Sequence, residues 1–294
     1  TRHEEEIFLF ENIRFFPQEE LNENRFAEEL SKMGQVYVND AFAASHRKHA
    51  SLSGLPKFLP SFFGLCMEKE ILALDDVFSH PTNPVVAIIG GSKVSTKIQL
   101  LESLIRNVDK IIIGGAMANT FLRATSNNIG SSLYEASCID IANDIINSAK
   151  KENVKLVLPI DAKVSKKLGD YPSAKNKILD EIEIDDMILD LGIESSRIIM
   201  DEISDANTVI WNGPLGAIEY KPFDQSTVAV AKELALRCKD KNSKVVVGGG
   251  DTIYGINIAG TYEDYTHVST GGGAFLQWLE GKDLPAVEAI LNKH

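Results

Sequence analysis

Val85-Val86-Ala87-Ile88-Ile89-Gly90-Gly91-Ser92-Lys93-Val94-Ser95-Thr96-Lys97-Ile98 is the stretch that decides the fold. Its first five residues are apolar and mostly β-branched, which predicts a short buried strand. The two glycines that follow let the backbone turn sharply and leave room for a bulky neighbour. A helical pattern comes next, with these apolar residues on one helix face: Ile98, Leu101, Leu104, Ile105 and Val108. The stretch therefore predicts a strand, a glycine turn and a helix in succession.

The start of that helix is a candidate phosphate site. Lys93 and Lys97 are four residues apart, so both can project the same way from the first helical turn. Backbone N–H groups are free at a helix N-terminus and the dipole is positive there, which suits phosphate. The stretch matches neither the P-loop pattern nor G-x-G-x-x-G. Taken alone, the Gly-Gly turn fits a tight turn in any α/β protein equally well.

Length and charge limit the class of protein. The chain has 294 residues, of which 44% are hydrophobic, enough for a large core in one or two domains. Its 30 Lys and Arg are outnumbered by 42 Asp and Glu, so the net charge is −12. Such an acidic chain argues against non-specific binding of nucleic acid or of an anionic membrane, and we expect neither partner. Any bound anion must be held by a local basic cluster.

The cysteines and the chain start bear on location. Cys66, Cys138 and Cys238 are far apart and match no metal-binding spacing, which indicates a reducing compartment. No apolar run approaches the length of a membrane span. Residues 1–6 are not a signal peptide and lack an initiator methionine. We expect a cytoplasmic chain that begins inside a longer protein.

A basic cluster is predicted in the first part of the chain. Residues 7–10 predict a strand that runs towards Arg14, and residues 24–33 predict an amphipathic helix. A second strand at 36–38 leads into His46-Arg47-Lys48-His49. Open parallel sheets bind ligands beyond the carboxyl ends of their strands, so these groups form a candidate anion site. A solvated basic loop is the alternative.

A domain boundary is predicted near residue 80. Residues 52–62 are rich in proline and small residues, which is typical of a connecting segment. A helix is predicted from about 64 to 78, and His80-Pro81-Thr82-Asn83-Pro84 ends it. We expect this helix to connect two domains.

After Pro84 one pattern recurs, in which an apolar strand leads through a glycine or small polar turn into a helix. It appears at 85–91, 110–115, 155–161, 208–214, 244–252 and 266–273. Continuous apolar strands that alternate with helices predict a parallel sheet covered on both faces. Several glycine turns meeting at one edge of that sheet indicate a nucleotide cleft. Residues 163–186 are more polar and predict a strand-rich or irregular excursion.

These motifs resemble phosphoglycerate kinase. The resemblance is carried by GGSKVSTK (90–97), GGAMANTF (114–121), WNGPLG (211–216), GGGDT (248–252) and STGGGA (269–274). Upstream, ENIRF (11–15), VNDAF (38–42) and HRKH (46–49) match the acceptor domain of that family. The match runs from about residue 7 to the C-terminus in the family's order. It implies two doubly wound parallel-sheet, Rossmann-like α/β domains joined by a helix.

One departure concerns the N-terminal domain. The family opens with an R-x-D-x-N-x-P strand and later has an H-x-G-R-P turn, and both are missing from these residues. The resemblance therefore implies an incomplete N-terminal domain. It divides the chain into a partial 3-phosphoglycerate-binding domain (1–63), an interdomain helix (64–80), a nucleotide-binding domain (81–281) and a tail that returns to the N-terminal domain (282–294). We expect such a chain to bind nucleotide with weak or absent turnover.

The implied reaction is phosphoryl transfer between 1,3-bisphosphoglycerate and MgADP, giving 3-phosphoglycerate and ATP. In the reverse direction the acceptor is a carboxylate, which is already ionised at neutral pH, so no general base is required. Catalysis then depends on alignment and on neutralising charge at the moving phosphoryl group. Mg²⁺ is the implied cofactor, and the resemblance suggests a monomer.

The resemblance also implies the site residues. Lys93 and Gly272 are the implied catalytic residues, and Asp251 is the implied Mg²⁺ ligand, with helix capping as its alternative role. The residues implied to bind nucleotide are Gly91, Ser92, Lys93, Lys97, Gly114, Gly115, Gly192, Asn212, Gly213, Pro214, Glu219, Gly249, Gly250, Asp251 and Thr252. Glu219 would accept from the ribose hydroxyls, and an ordinary surface glutamate is its alternative.

The residues implied to bind phosphoglycerate are Arg14, His46, Arg47 and His49. The two histidines could instead be ordinary surface residues. Residues 284–287 match the family's returning tail, for which a simple terminal amphipathic helix is the alternative.

Two other functions share the predicted fold class. A nicotinamide dehydrogenase would need G-x-G-x-x-G and an acidic residue at the end of the second strand. That strand here ends in Gly114-Gly115, which argues against this function. A non-catalytic nucleotide-binding protein is the other alternative, and the incomplete acceptor half favours it.

Overall fold

The computed structural model describes residues 7–169, 171–240 and 243–292. The parts of the predictions that fall on residues 1–6 and 293–294 lie outside the described residues. The strands are β1 Tyr37–Asn39, β2 Ser61–Phe63, β3 Val85–Ile89, β4 Lys110–Ile113, β5 Lys155–Val157, β6 Asp161–Ser165, β7 Lys175–Ile178, β8 Met187–Leu191, β9 Thr208–Asn212, β10 Lys244–Gly248 and β11 His267–Ser269. The helices are α1 Pro17–Glu20, α2 Asn24–Ser31, α3 Leu65–Phe78, α4 Ile98–Leu104, α5 Gly115–Ala124, α6 Ile139–Lys151, α7 Ile193–Ile203, α8 Gln225–Asp240, α9 Gly250–Ala259, α10 Gly273–Leu279 and α11 Pro285–Leu291.

The chain divides into two compact units. The first contains the residues up to Lys69 together with those from Asp283 onward, and the second runs from Glu70 to Lys282. The division falls inside α3, the helix that the sequence predicts as a connector. The domain limits 1–63, 64–80, 81–281 and 282–294 stay a prediction.

A six-stranded parallel sheet forms the centre of the second unit, in the order β11-β10-β9-β3-β4-β5. All six strands that the recurring pattern predicts belong to it, so the parallel α/β fold is confirmed. The chain builds β3, β4 and β5 outwards on one side, then crosses over and builds β9, β10 and β11 on the other. This is the strand order of doubly wound dinucleotide-binding folds.

The core lies on both faces of this sheet. Val86, Ile88 and Trp211 point to one face, where they pack with apolar residues of α7, α8 and α9. The alternating residues Ala87 and Ile89 point to the opposite face and are also buried. A parallel strand buried on both sides needs a continuous apolar sequence, which is the pattern seen from Val85 to Ile89.

The polar segment after β5 forms a second, smaller sheet in this unit. Strands β7, β6 and β8 pair antiparallel in that order. The predicted strand-rich excursion is therefore an antiparallel sheet. Its strand β8 is followed directly by Gly192 and α7, so the small sheet leads back into the large one.

The first unit contains a two-stranded parallel sheet, β1 with β2. Strand β2 begins in the segment predicted as a connection, and that prediction is wrong at 61–62. The predicted strand at 7–10 is also wrong: these residues pair with no strand in the part of the chain that is described, and they are 60–98% exposed. Helix α11 belongs to this unit, where the N–H of Ala286 donates to the carbonyl of Ser45 at 3.1 Å.

Candidate nucleotide-binding site

The candidate site lies where β3 and β9 end side by side at the centre of the large sheet. The chain order reverses between these two strands, and at such a switch point the following loops diverge and leave a crevice. The two loops are joined by backbone hydrogen bonds. Gly90 N–H donates to the carbonyl of Asn212 at 3.0 Å, and Gly91 N–H donates to that of Pro214 at 3.1 Å.

Glycine is required where these loops touch. A Cβ on Gly90 would lie 2.0 Å from the carbonyl oxygen of Pro214. A Cβ on Gly213 would lie 2.2 Å from the carbonyl oxygen of Gly90, and Gly213 also has a φ of +101°. Side chains at either position would force the two backbones apart, so the glycines set the width of the crevice floor.

Lys97 joins the same two loops through its side chain. Its Nζ donates to the carbonyl of Gly90 at 2.8 Å, to the carbonyl of Asn212 at 3.0 Å, and to the side-chain Oδ1 of Asn212. Burial lowers the pKa of Lys97 to about 8, and the charge of Asp251 opposes this shift only in part. Lys97 is thus a partly buried cation whose proton is weakly held.

Lys93 occupies a loop, and the prediction that both lysines project from the first turn of a helix is wrong. Helix α4 begins only at Ile98, so residues 92–97 form a loop, which we call the lysine loop. Val94 is fully buried, and Thr96 Oγ1 donates to the carbonyl of Lys93 at 3.0 Å. Such a local side-chain bond competes with helix formation. Both lysines nevertheless line the same cavity.

That cavity has a volume of about 390 Å³ and forms the first part of the cleft. It gathers the following predicted residues from several loops: Gly91, Ser92, Lys93, Lys97, Asn212, Gly213, Pro214, Gly249, Gly250, Asp251, Thr252 and Gly272. Lysine ammonium groups and backbone N–H groups beside one carboxylate suit a phosphate chain with a bound cation.

Asp251 is the second residue of α9, and the capping alternative for it is wrong. The N-cap is Gly249, with a φ of +97°. Thr252 instead fixes this turn, because its Oγ1 accepts from the N–H of Gly213 at 2.6 Å and donates to the carbonyl of Gly248 at 3.0 Å. The Asp251 carboxylate is exposed and lines the cavity, so it fits a Mg²⁺ ion held jointly with substrate phosphates.

Gly272 closes the same cavity from the loop after β11. It precedes α10 with a φ of +51°, and a Cβ there would meet nothing within 4 Å. The loop is held by the N–H of Gly271, which donates to Ser269 Oγ at 3.2 Å. Gly272 is thus required for its backbone conformation rather than for close packing.

A second cavity of about 350 Å³ continues the cleft, and it shares Gly91, Ser92, Pro214 and Asp251 with the first. Its walls are mainly apolar and include Leu133, Leu168, Met187, Leu189, Leu191 and Leu215. Gly115 and the exposed Glu219 also line it. An apolar slot that opens into a polar, basic one matches the two ends of a nucleotide.

Gly114 and Gly192 are predicted to lie beside the nucleotide, yet neither lines these two cavities. A Cβ on Gly114 would lie 2.3 Å from Leu215 Cδ2, and one on Gly192 would lie 2.1 Å from Asp161 Cγ. Leu215 and Asp161 do line the second cavity. The two glycines therefore act one layer behind the wall, by leaving space for the side chains that form it.

Two buried carboxylates in this wall are absent from the sequence predictions. Asp161 accepts from the N–H groups of Glu194 and Ser195 at the start of α7, at 3.0 and 2.7 Å. Asp190 accepts from the N–H of Ser226 at 3.2 Å and from its hydroxyl, at the start of α8. Burial raises the pKa of Asp190 to about 7. An aspartate inside an otherwise apolar strand, as in Met187–Leu191, is the signal that could have found Asp190.

The predicted phosphoglycerate-binding residues form a basic cluster in the first unit. Burial lowers the pKa of His46, and the nearby charges of Arg47, His49 and Arg14 lower it further. His49 has a carboxylate partner, because its Nδ1 lies 3.7 Å from Oε1 of the buried Glu19. Arg14 is exposed and sits in a single turn over Ile13–Phe15. The cluster therefore offers positive charge chiefly through its arginines.

A group of three carboxylates, at Glu183, Asp185 and Asp186, is not among the residues that line the two cavities. Lys166 forms ion pairs with all three, and Lys177 with Glu183 and Asp186. Each carboxylate of the group thus already has a lysine partner, so the group does not suggest a cation site. None of the helices in the described ranges combines the length and the apolar character needed to span a bilayer.

Comparison with known proteins identifies the family. A profile of phosphoglycerate kinases matches residues 1–282. The chain is 47% identical over 284 residues to a phosphoglycerate kinase of Caulobacter vibrioides, covering 97% of this chain and 72% of that protein. The chain belongs to the phosphoglycerate kinase family.

Solved structures of the family have the same fold. The structure of phosphoglycerate kinase from Coxiella burnetii superposes with a TM-score of 0.91 at 38% identity, covering 96% of this chain and 72% of the other. That of the Pyrococcus horikoshii enzyme superposes with a TM-score of 0.81 at 28% identity, with the same coverage of 96% and 72%. Phosphoglycerate kinases are phosphotransferases of glycolysis. The cleft at the end of β3 and β9 is therefore part of a fold that this chain shares with glycolytic kinases.

Proposed function

We propose that this chain binds MgADP or MgATP in the cleft at the end of β3 and β9 and transfers a phosphoryl group between 1,3-bisphosphoglycerate and ADP. The observation that carries the proposal is the junction of two cavities, one apolar and one basic, in a chain of the phosphoglycerate kinase family. The apolar cavity would take the adenosine, and the basic cavity the phosphates.

The proposed roles follow the position of each residue. Lys93 would contact the transferring phosphoryl group, and Lys97 the phosphates of the nucleotide. Gly272 would bring backbone N–H groups of its loop towards the transferring group. Glu219 would accept from the ribose. Bound Mg²⁺, held by Asp251, would neutralise phosphate charge.

The transfer itself needs alignment more than proton chemistry. The acceptor is the ionised terminal phosphate of ADP when ATP is formed and an ionised carboxylate in the reverse direction. The side chains therefore have only to hold the reactants in line and offset the charge on the moving group. Arg14, Arg47, His46 and His49 would hold the phosphoglycerate. Domain limits at 1–63, 64–80, 81–281 and 282–294 complete this proposal, as do a monomeric state and a cytoplasmic location in keeping with a glycolytic role.

The second candidate is a nucleotide-binding protein without turnover. It rests on the two cavities of the cleft alone and needs no contribution from Arg14, His46, Arg47 or His49. Two measurements distinguish the functions. Titration calorimetry with MgADP tests the nucleotide site, and a coupled assay for ATP formation from 1,3-bisphosphoglycerate tests transfer. Binding with turnover supports the kinase, binding without turnover supports the second candidate, and no binding contradicts both.

A further inference from the structure

The lysine loop has an anchor outside its own strand and helix, besides the buried Val94 and the bonds of Lys97. The N–H of Ser95 donates to Glu135 Oε2 at 2.9 Å, and the hydroxyl of Ser95 donates to Glu135 Oε1 at 2.6 Å. Both carboxylate oxygens therefore accept from the same residue of the loop. This paired arrangement resists sliding and rotation of the loop more than one bond would.

Glu135 is itself held firmly. Its N–H donates to Thr120 Oγ1 at 3.1 Å, and the carbonyl of Leu133 accepts from Asn119 Nδ2 at 3.0 Å. Asn119 and Thr120 are each 1% exposed and lie on α5. The segment that carries Glu135 is thus fixed to a buried helix face, so Glu135 can act as a rigid support.

That same helix and segment reach both ends of the cleft. The N–H of Met117, in α5, donates to the carbonyl of Gly91 at 3.0 Å, just before the lysine loop. Leu133 and Asn119 line the apolar cavity, and Lys93 lines the basic one. Glu135 therefore connects the wall of the apolar cavity to the loop that would contact the phosphates.

The charge of Glu135 is retained beside the loop. Partial burial raises the pKa of this carboxyl, but the hydrogen bonds from Ser95 and the charge of Lys93 outweigh that effect and lower it overall. The side chain is therefore ionised at neutral pH. Its bonds to Ser95 are charge-assisted, which makes them stronger than bonds between neutral groups.

We propose that Glu135 is a positioning residue, which holds the lysine loop so that Lys93 faces the phosphates of the bound nucleotide. The inference rests on the proposed function, because it assumes that nucleotide occupies the cleft. Glu135 would act only through the loop, so its loss should weaken the binding of phosphates and leave the binding of the nucleoside unchanged.

The test compares ligands with and without phosphates. Glu135→Ala and Ser95→Ala are each titrated with MgADP and with adenosine by calorimetry. We expect MgADP affinity to fall about three- to tenfold in each variant, as for loss of a typical hydrogen bond, while adenosine affinity stays unchanged. The double variant should lose no more than Glu135→Ala alone, because that change already removes the hydroxyl bond that Ser95→Ala removes.

Asp109→Ala is the matched control. Its Oδ2 accepts from the N–H of Val85 at 2.7 Å, so it supports the opposite end of β3 from the lysine loop. This variant should bind both ligands as the unchanged protein does. Melting temperatures show whether each variant is folded. If Glu135→Ala does not fold, Ser95→Ala carries the test, because Ser95 is exposed and its replacement disturbs no packing.

Three results would overturn the inference: equal weakening of adenosine and MgADP, unchanged MgADP affinity in both loop variants, or additive losses in the double variant. If the unchanged protein binds neither ligand, the proposed function itself fails, and this outcome is separate from those of the variants.

Discussion

Lys97 should take up a proton when nucleotide binds. Its pKa falls from 10.5 to about 8 in the folded chain because the ammonium group is buried. This lowering corresponds to about 3 kcal/mol of unfavourable free energy for the charged form. Phosphate oxygens placed beside Lys97 would stabilise that charge and raise the pKa again, so binding and protonation should be coupled.

The size of the uptake follows from these values. At about pH 8.5, about three quarters of the Lys97 side chains are neutral if the pKa is about 8. If bound phosphate returns the pKa to about 10 or above, Lys97 should take up about 0.7 protons for each ADP that binds. At about pH 7 the uptake should be only about 0.1 protons, since the side chain is already charged.

The lowered pKa of Lys97 also makes the free energy of unfolding depend on pH. Above about pH 8 the folded state releases the proton of Lys97, whereas the unfolded state keeps it until about pH 10.5. The unfolded state then binds more protons, so this group makes unfolding less favourable as the pH rises through that window. The cost of the buried charge is fully present below about pH 8.

Calorimetry in buffers of different ionisation enthalpy measures the uptake. Metal-free ADP in EDTA avoids a contribution from cation binding at Asp251, and at about pH 8.5 the ADP phosphates are already ionised. Lys97→Met and Lys97→Arg are the controls, because methionine cannot titrate and a guanidinium stays charged. Uptake should vanish in both. An uptake near zero in the unchanged protein, or one that persists in Lys97→Met, would refute the reasoning.

Three other predictions concern the cleft. Lys93→Ala should lower turnover by about two or more orders of magnitude, as for loss of a transition-state contact, with little change in melting temperature; a change confined to KM would instead indicate uniform nucleotide binding. Asp251→Asn should weaken MgADP far more than metal-free ADP in calorimetry, and equal weakening would exclude a metal role. Gly213→Ala should cost about 3 kcal/mol or more in denaturant unfolding, through left-handed strain and the 2.2 Å approach to Gly90. Gly260→Ala, with a φ of +72° but nothing within 4 Å, should cost only about 1 kcal/mol, and an equal cost for both would contradict the steric argument.

The strands of the large sheet could be predicted because they are buried on both faces. Each needs a continuous apolar run, and Val85–Ile89 and Lys110–Ile113 show such runs plainly. Residues 7–10 carry the same signal but pair with no strand in the described structure. An apolar run shows that a segment can be buried, whereas pairing depends on which neighbours are present.

The candidate site was only partly predictable, for a similar reason. The glycine and lysine motifs identified the loops, and most predicted residues do line the two cavities. Gly114 and Gly192 do not line the cavities. A glycine motif indicates close packing, but it does not show which neighbour the glycine packs against. Asp161 and Asp190 were missed because their partners, the starts of α7 and α8, are distant from them in sequence.

The sequence by itself determined the alternation of strands and helices, the family, and the loops that carry glycine and lysine. These depend on local periodicity and on motifs of neighbouring residues. Only the tertiary structure decided that α4 starts at Ile98, that Lys97 is buried against Asn212, and that Glu135 supports Ser95. The last two contacts join segments far apart in the chain, and the start of α4 at Ile98 goes with the burial of Val94 in the loop before it. The energies of such contacts depend on burial and distance, which exist only once the chain has folded.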